Sequence, residues 1–258
     1  MNEPSPPLTM LCPGQGAQRV GMGLAWKDHA PVAAQTFGAA DEIVGDALGE
    51  KLSTLCFEGP ADVLNRTDVA QPAIFVTSVA CAQALFPDVN REELRAVAGL
   101  SLGEYTALYL AGVFGFEDAL RLVVLRGRAM QDAAEAAPSS MVALIGADEA
   151  QANEVCDKAT GDEILVPANF NAPGQIVLSG AIGACERAVE AAPEVGVRAK
   201  AIPVAGAFHS PFMEPAAQRL AEALDSVQMQ EPACTVMSNV TAAPHEPDAD
   251  SIRKRLVE

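Results

Sequence analysis

The chain has 258 residues and sets 17 Lys and Arg against 34 Asp and Glu, a formal charge of −17. So acidic a surface repels phosphate-rich polyanions, which excludes general binding to nucleic acid or to an anionic membrane. Half of the residues are hydrophobic, 20% are charged and 5% aromatic, the make-up of a globular chain able to bury a core in one large domain or in a domain with a smaller companion.

Met1–Thr9 contains Glu3 and three prolines but neither a basic nor an apolar signal region, so no signal peptide is read there. The longest apolar stretch, Ala73–Ala82, is broken by Thr77 and Ser78 and falls short of the ~20 residues of a membrane span. Cys12, Cys56, Cys81, Cys156, Cys185 and Cys234 form no CxxC pair and sit mostly in apolar contexts. They read as reduced core thiols, not a disulfide framework or a metal site. Together these features predict a soluble, cytoplasmic protein.

Leu8–Cys12 reads as a buried strand opening into the tight turn Pro13-Gly14-Gln15-Gly16. Helical patterns follow at Ala30–Leu48 and at Gln71–Leu85, the latter with Pro72 placed in its first turn. Leu94–Ala98 is the next apolar strand and runs directly through Gly99-Leu100-Ser101-Leu102-Gly103 into a helix over Glu104–Ala111. A longer helix is predicted over Glu117–Glu135. From Met141 the pattern becomes strand (Met141–Ile145), helix (Asp148–Ala159), two strands joined by a turn (Ile164–Asn169, Gln175–Ser179), helix (Ala181–Ala192) and strand (Val197–Val204). That order, β-α-β-β-α-β, is the ferredoxin-like unit. Residues 137–206 are therefore read as a small inserted subdomain, with 1–136 and 207–258 forming one discontinuous α/β domain. A helix begins at Ser210-Pro211 and runs through Leu224, and Cys234–Ser238 is a strand returning to the large sheet. The acidic, proline-rich Ala243–Asp250 reads as a loop.

Gly99-x-Ser101-x-Gly103 between strand and helix has the form of a nucleophile elbow. There a sharp turn exposes the serine hydroxyl and leaves the next backbone N–H, that of Leu102, free for an oxyanion. The alternative is a plain βα turn in which Ser101 caps the helix. A serine hydroxyl needs a base, and there are three histidines. His29 and His245 lie in polar stretches and read as solvated, whereas His209 sits in a strand-to-helix loop, where catalytic bases are often placed. Arg126 falls between Leu122 and Met130, its i−4 and i+4 neighbours, while Arg121 and Arg128 fall on the polar side of the helix. A guanidinium turned toward apolar surroundings needs an anion, either a buried acid of this chain or a substrate carboxylate. Gly14-Gln15-Gly16 is either a simple turn or the second half of an oxyanion hole.

PGQGAQ at 13–18, GLSLGE at 99–104, RGRAMQ at 126–131, NFNAPGQIVLSG at 169–180 and GAFHSP at 206–211 together resemble the malonyl-CoA:acyl carrier protein transacylase family and the acyltransferase domains of polyketide and fatty acid synthases. The resemblance implies an α/β-hydrolase-like core with a parallel sheet and an inserted ferredoxin-like subdomain. It implies Ser101 as nucleophile and His209 as its base, the backbone N–H groups of Gln15 and Leu102 as the oxyanion hole, and Arg126 on the malonyl carboxylate. Phe208 before the base resembles the malonyl-selecting form of the motif, a ring that crowds an α-methyl branch; one methyl is worth only ~1 to 3 kcal/mol of discrimination. No cofactor or metal is implied. The partners are a CoA thioester and acyl carrier protein, and the chain is expected to be a monomer.

Two departures stand out. Leu100 occupies a position that is most often histidine in the family. Family members also continue beyond Arg253–Glu258 with a glutamine whose backbone carbonyl orients the histidine, so the chain reads as truncated at its C-terminus. Two competing readings are a serine esterase or thioesterase using the same Ser/His pair with water as acceptor, and a catalytically silent interaction module. Anionic CoA and an acidic carrier call for a local basic surface on so acidic a chain, for which Arg121, Arg128, Arg198 and Lys200 are the candidates.

Overall fold

The computed structural model describes residues 8–87 and 93–258; Met1–Pro7, read above as lacking a signal sequence, lie outside the described residues. The fold is α/β, an α/β-hydrolase-like core with a parallel sheet and an inserted ferredoxin-like subdomain. Backbone contacts divide the chain into two compact units, with boundaries at Arg128/Ala129 and Gln218/Arg219.

The first unit holds a parallel sheet of order β1-β2-β7, built from Leu8–Cys12, Leu94–Gly99 and Thr235–Val236. Cys12 pairs with Gly99, so β1 and β2 end together and their following turns share the carboxyl edge of the sheet, where open α/β sheets place ligands. Around it lie α1 (Leu24–His29), α2 (Pro31–Val44), α3 (Leu52–Glu58), α4 (Ala61–Leu64), α5 (Thr67–Leu85), α6 (Leu102–Leu110) and α7 (Phe116–Ala136), the last crossing the Arg128/Ala129 boundary. A core including Phe37, Leu52, Ile74, Phe75, Val97, Leu108 and Leu120 is almost wholly removed from water. Helix α5 has 19 residues and is, by length and composition, apolar enough to cross a membrane; its run from Thr67 to Val76 is buried in this unit.

The second unit holds β3 (Ser139–Ala147), α8 (Glu149–Ala159), β4 (Leu165–Ala172), β5 (Gly174–Ala181), α9 (Ile182–Ala191) and β6 (Arg198–Ile202). Its sheet has the order β4-β5-β3-β6 with every neighbouring pair antiparallel, the ferredoxin-like arrangement. The period of two along the strands separates two faces. Val142, Leu144, Ile176 and Leu178 meet the alanine-rich sides of α8 and α9, while Met141 and Val177 join a cluster with Met130, Phe208 and Met213. Asp148 caps α8 with its side chain while Gln151 answers with its own, a complete capping box.

The remaining helices, α10 (Glu214–Asp225) and α11 (Ala249–Val257), follow in the C-terminal part. Four short helices, α1, α3, α4 and α11, were not legible in the sequence. Pro72 does not open its helix but lies inside it, because α5 starts at Thr67. The helix tolerates losing the bond to the Asp68 carbonyl since its first turn is itself core: Val69 and Ala70 are buried, and the Asp68 carboxylate is held by Arg66 at 2.7 Å.

The six cysteines are free, and burial pushes the thiols of Cys12, Cys56 and Cys156 up to about 12, which keeps them protonated and unreactive at neutral pH.

Two glycines test the packing in opposite directions. Gly38 lies exposed inside α2, where an added Cβ meets nothing, so Gly38→Ala should stabilise by roughly 0.5 to 1 kcal/mol. On Gly103 an added Cβ would run into the Cys12 carbonyl, and Gly103→Ala should destabilise by roughly 1 to 3 kcal/mol or more. Denaturant midpoints of the two variants against the parent check both signs.

Candidate active site

Strand β2 ends at Gly99 and α6 begins at Leu102, so two residues make the whole turn. Ser101 absorbs it with φ 52° and ψ −104°, a conformation that costs a non-glycine residue on the order of 1 to 3 kcal/mol and persists only where its surroundings hold it. The turn is possible because glycines flank it. A Cβ on Gly99 would collide with the Gly103 backbone, one on Gly103 with the Cys12 carbonyl, and one on Gly14 with the Leu100 carbonyl. These backbone contacts also bring the Pro13–Gly16 turn against the elbow. Gln15, on that turn, is anchored by its side-chain amide, which donates to Thr67 Oγ1 at 3.3 Å. Leu102 opens α6, and its N–H is among the first-turn donors that a helix leaves without an intrahelical acceptor. Ser101 occupies the N-cap position, yet its hydroxyl makes no capping bond.

The Ser101 hydroxyl oxygen instead accepts a hydrogen bond from Arg126 Nη2 at 2.9 Å. Arg126 lies on the buried stripe of α7 with Leu122 and Val123, while Arg121 and Arg128 are exposed, as the wheel argument predicts. Helix α7 comes this close because Gly127 has no side chain to strike the Thr67 carbonyl and Asp68 of α5. The other guanidinium nitrogen, Nη1, donates to Gln71 Oε1 at 2.6 Å, and the group stands 5.3 Å from the centre of the Tyr105 ring. Among the described residues Arg126 makes no ion pair with a carboxylate. Of the two anions the sequence allowed, a buried acid among the described residues is therefore not the one. A guanidinium 8% exposed with neutral partners carries uncompensated charge, which an anionic ligand would neutralise.

His209 and Phe208 belong to the second unit. His209 lies in an exposed turn after β6 and, like Ser101, has a positive φ, 56°. Phe208 is buried among Met141, Val177 and Met213, and its carbonyl accepts from Ser179 Oγ at 2.6 Å. The neighbouring Ala207 N–H donates to Ser139 Oγ at 3.0 Å, so β3 and β5 both fix the segment that carries His209.

His29 is exposed, with Nδ1 2.8 Å from the Ala25 carbonyl. His245, in contrast, is not solvated. The loop folds back so that the His245 N–H donates to the Val236 carbonyl at 2.8 Å, which carries its ring inside to Glu104. Sequence reasoning also passed over Gln71, Tyr105, Glu104 and Asn239, all of which touch the elbow or its arginine. Glu104 had a legible signal, an acid at the third position of a helix whose every other position is apolar or small.

Burial pushes the Tyr105 phenol up to about 12, against the opposing pull of the Arg126 charge. The neutral ring beneath the guanidinium therefore adds stability that is present below pH ~10 and lost as pH rises toward 12. Tyr105→Phe should remove roughly 1 kcal/mol of that alkaline loss, measured as the difference between unfolding free energies at pH 8 and pH 11.

The acyl transferase domain family matches residues 9–254. The malonyl CoA-acyl carrier protein transacylase of Haemophilus influenzae is 40% identical over 253 residues, covering 96% of this chain and 78% of the relative. The crystal structure of acyl-carrier-protein-S-malonyltransferase from Bartonella henselae superimposes with a TM-score of 0.88 at 42% identity, over 96% of this chain and 79% of that one. A structure of a type II polyketide synthase acyl-carrier protein in complex with its malonyl-transacylase matches with a TM-score of 0.89 at 38% identity and the same coverage. The chain belongs to the acyl transferase domain family and is an acyltransferase.

Proposed function

We propose that the protein moves a malonyl group from CoA to the phosphopantetheine thiol of acyl carrier protein, for fatty acid or polyketide synthesis, through an acyl-enzyme on Ser101. The observation that carries this is the 2.9 Å hydrogen bond from Arg126 to the Ser101 hydroxyl. In a malonyl ester of Ser101 only one methylene separates the acyl carbon from the free carboxylate. A cation in contact with the nucleophile is thus within reach of that carboxylate, and its planar fork suits bidentate binding. A hydrolase of neutral esters has no use for such a charge.

In this reading His209 takes the Ser101 proton as Oγ attacks the thioester carbonyl, with the oxyanion held by the Gln15 and Leu102 N–H groups. The carbon–sulfur bond breaks and the proton passes to the leaving CoA thiolate. The carrier's thiol then attacks the ester by the same steps in reverse, releasing Ser101. Phe208 favours malonyl over α-branched acyl groups. Residues 1–136 and 207–258 form the catalytic domain and 137–206 the small subdomain. No cofactor or metal takes part, and the protein works as a cytoplasmic monomer.

The similarity to a transacylase in complex with its carrier supports acyl carrier protein as the acceptor. Arg121, Arg128, Arg198 and Lys200 are the proposed basic surface for it. All four are exposed, although Arg121 is paired with Glu117 at 2.8 Å and Arg128 with Asp68 at 3.5 Å.

Incubation with malonyl-CoA should give a protein heavier by one malonyl group by intact mass, and Ser101→Ala should abolish the adduct. Folded protein that forms no adduct, or that releases malonate without transferring it to carrier, would refute the transferase reading, the second outcome in favour of a thioesterase. Arg126→Ala should lower kcat/KM for malonyl-CoA about 10- to 100-fold, the effect of losing a hydrogen bond to a charged group, and leave acetyl loading equal or faster. Stopped-flow loading with both thioesters checks the pair.

A further inference from the structure

The elbow turn is held from a direction that the proposed chemistry does not use. The β2–β7 ladder runs through Ala96/Thr235 and Val97/Val236, and the Met237 N–H still donates to the Val97 carbonyl at 3.1 Å. There the main-chain pairing stops. Beyond it the side-chain amide of Asn239 takes the place of a neighbouring peptide group. Its Nδ2 donates to the Gly99 carbonyl at 2.7 Å, and its Oδ1 accepts from the Ser101 N–H at 2.9 Å. One side chain thus spans the strained residues and bonds both ends of the turn.

An asparagine amide is a reliable clamp only if its own orientation is settled. Here Glu104 settles it. One carboxylate oxygen accepts from the Asn239 backbone N–H at 3.2 Å and the other from its Nδ2 at 2.9 Å. Glu104 is buried, and the burial is supported by His245, whose Nε2 stands 2.7 Å from Glu104 Oε1 with no side-chain exposure of its own. Two Asn239 donors already point at this carboxyl group, and since a carboxylate only accepts, the 2.7 Å contact is a hydrogen bond when the His245 tautomer carries its proton on Nε2. His245 Nδ1 is buried without a hydrogen-bond partner. The polar contact that the ring does make inside is the one with Glu104.

We propose that Asn239 is a positioning residue for the acyltransfer, which holds Ser101 and the Leu102 N–H in register through its two bonds across the turn, and that Glu104 and His245 act through it by fixing its amide. This rests on Ser101 being the nucleophile. Loss of the clamp should relax the elbow toward ordinary backbone geometry and slow the chemical step, since displacements near 1 Å at a reacting group reduce rates by ~10²-fold, while leaving capture of the malonyl carboxylate by Arg126 intact.

The test combines two readouts on the same variants: malonyl loading, and labelling of Ser101 by a fluorophosphonate, a serine-directed reagent that needs no malonyl recognition. Asn239→Ala should lower kcat for loading about 10- to 100-fold with KM for malonyl-CoA within about two-fold, and slow fluorophosphonate labelling in parallel. His245→Leu, which removes the donor to Glu104, should lower both by a smaller factor, and His245→Gln, which restores a donor at similar reach, should recover most of the loss. A folded Asn239→Ala protein with unchanged kcat, or with the loss confined to KM, would overturn the proposal. If Asn239→Ala fails to fold, equal rates in His245→Leu and His245→Gln would do the same. Parent protein that reacts with the fluorophosphonate but takes no malonyl group would refute the substrate reading alone, and the labelling rates would still decide the clamp.

Discussion

The site depends on how closely three pieces of backbone approach one another at the carboxyl edge of the parallel sheet. The end of β1, the end of β2 and the first turn of α6 meet where Gly14, Gly99 and Gly103 supply no Cβ, and at each of the three an added methyl would strike main chain, not a side chain able to move aside. From this contact follow the two-residue turn, the positive φ of Ser101 and the placing of the Gln15 turn beside the start of α6. Local strain at Ser101 is thereby held by backbone packing and by the Asn239 amide, not by the serine side chain, whose hydroxyl is left to Arg126. That division of labour separates the groups that shape the elbow from the groups proposed to meet a substrate.

In the proposed reading, electrostatics makes the site selective where the fold makes it possible. On a chain of net charge −17, a buried guanidinium with glutamine, serine and tyrosine around it is a local inversion of sign. Low surrounding polarity strengthens any interaction with an anion that enters, so one arginine outweighs the general repulsion at short range. The acidic surface that excludes nonspecific binding to polyanions is therefore compatible with a focused anionic ligand.

Much of this was legible in the sequence because it rests on local rules. Apolar runs ending in glycine marked β1 and β2, the spacing of Leu122, Arg126 and Met130 put a charge on the wrong side of an amphipathic helix, and the succession of strand and helix patterns from Met141 to Val204 carried the ferredoxin-like order. What was not legible depends on distant parts of the chain meeting. His245 looks solvated in an acidic, proline-rich stretch, and only the fold-back onto Val236 takes it inside. Asn239 has no periodic signature, and it reaches the elbow only because β7 ends three residues earlier, at Val236, beside it. Pro72 was read as a helix start by its ordinary preference, which buried packing of the preceding turn overrode.

The central claim is that Arg126 and Ser101 form one unit that receives a carboxylated acyl group. The most direct measurement is the crystal structure of the protein after brief exposure to malonyl-CoA. The account predicts an ester on Ser101 Oγ with its free carboxylate bonded in a fork to Arg126 in place of the present contact to the hydroxyl. An adduct on another residue, or a Ser101 ester whose carboxylate turns away from Arg126 into solvent, would contradict it.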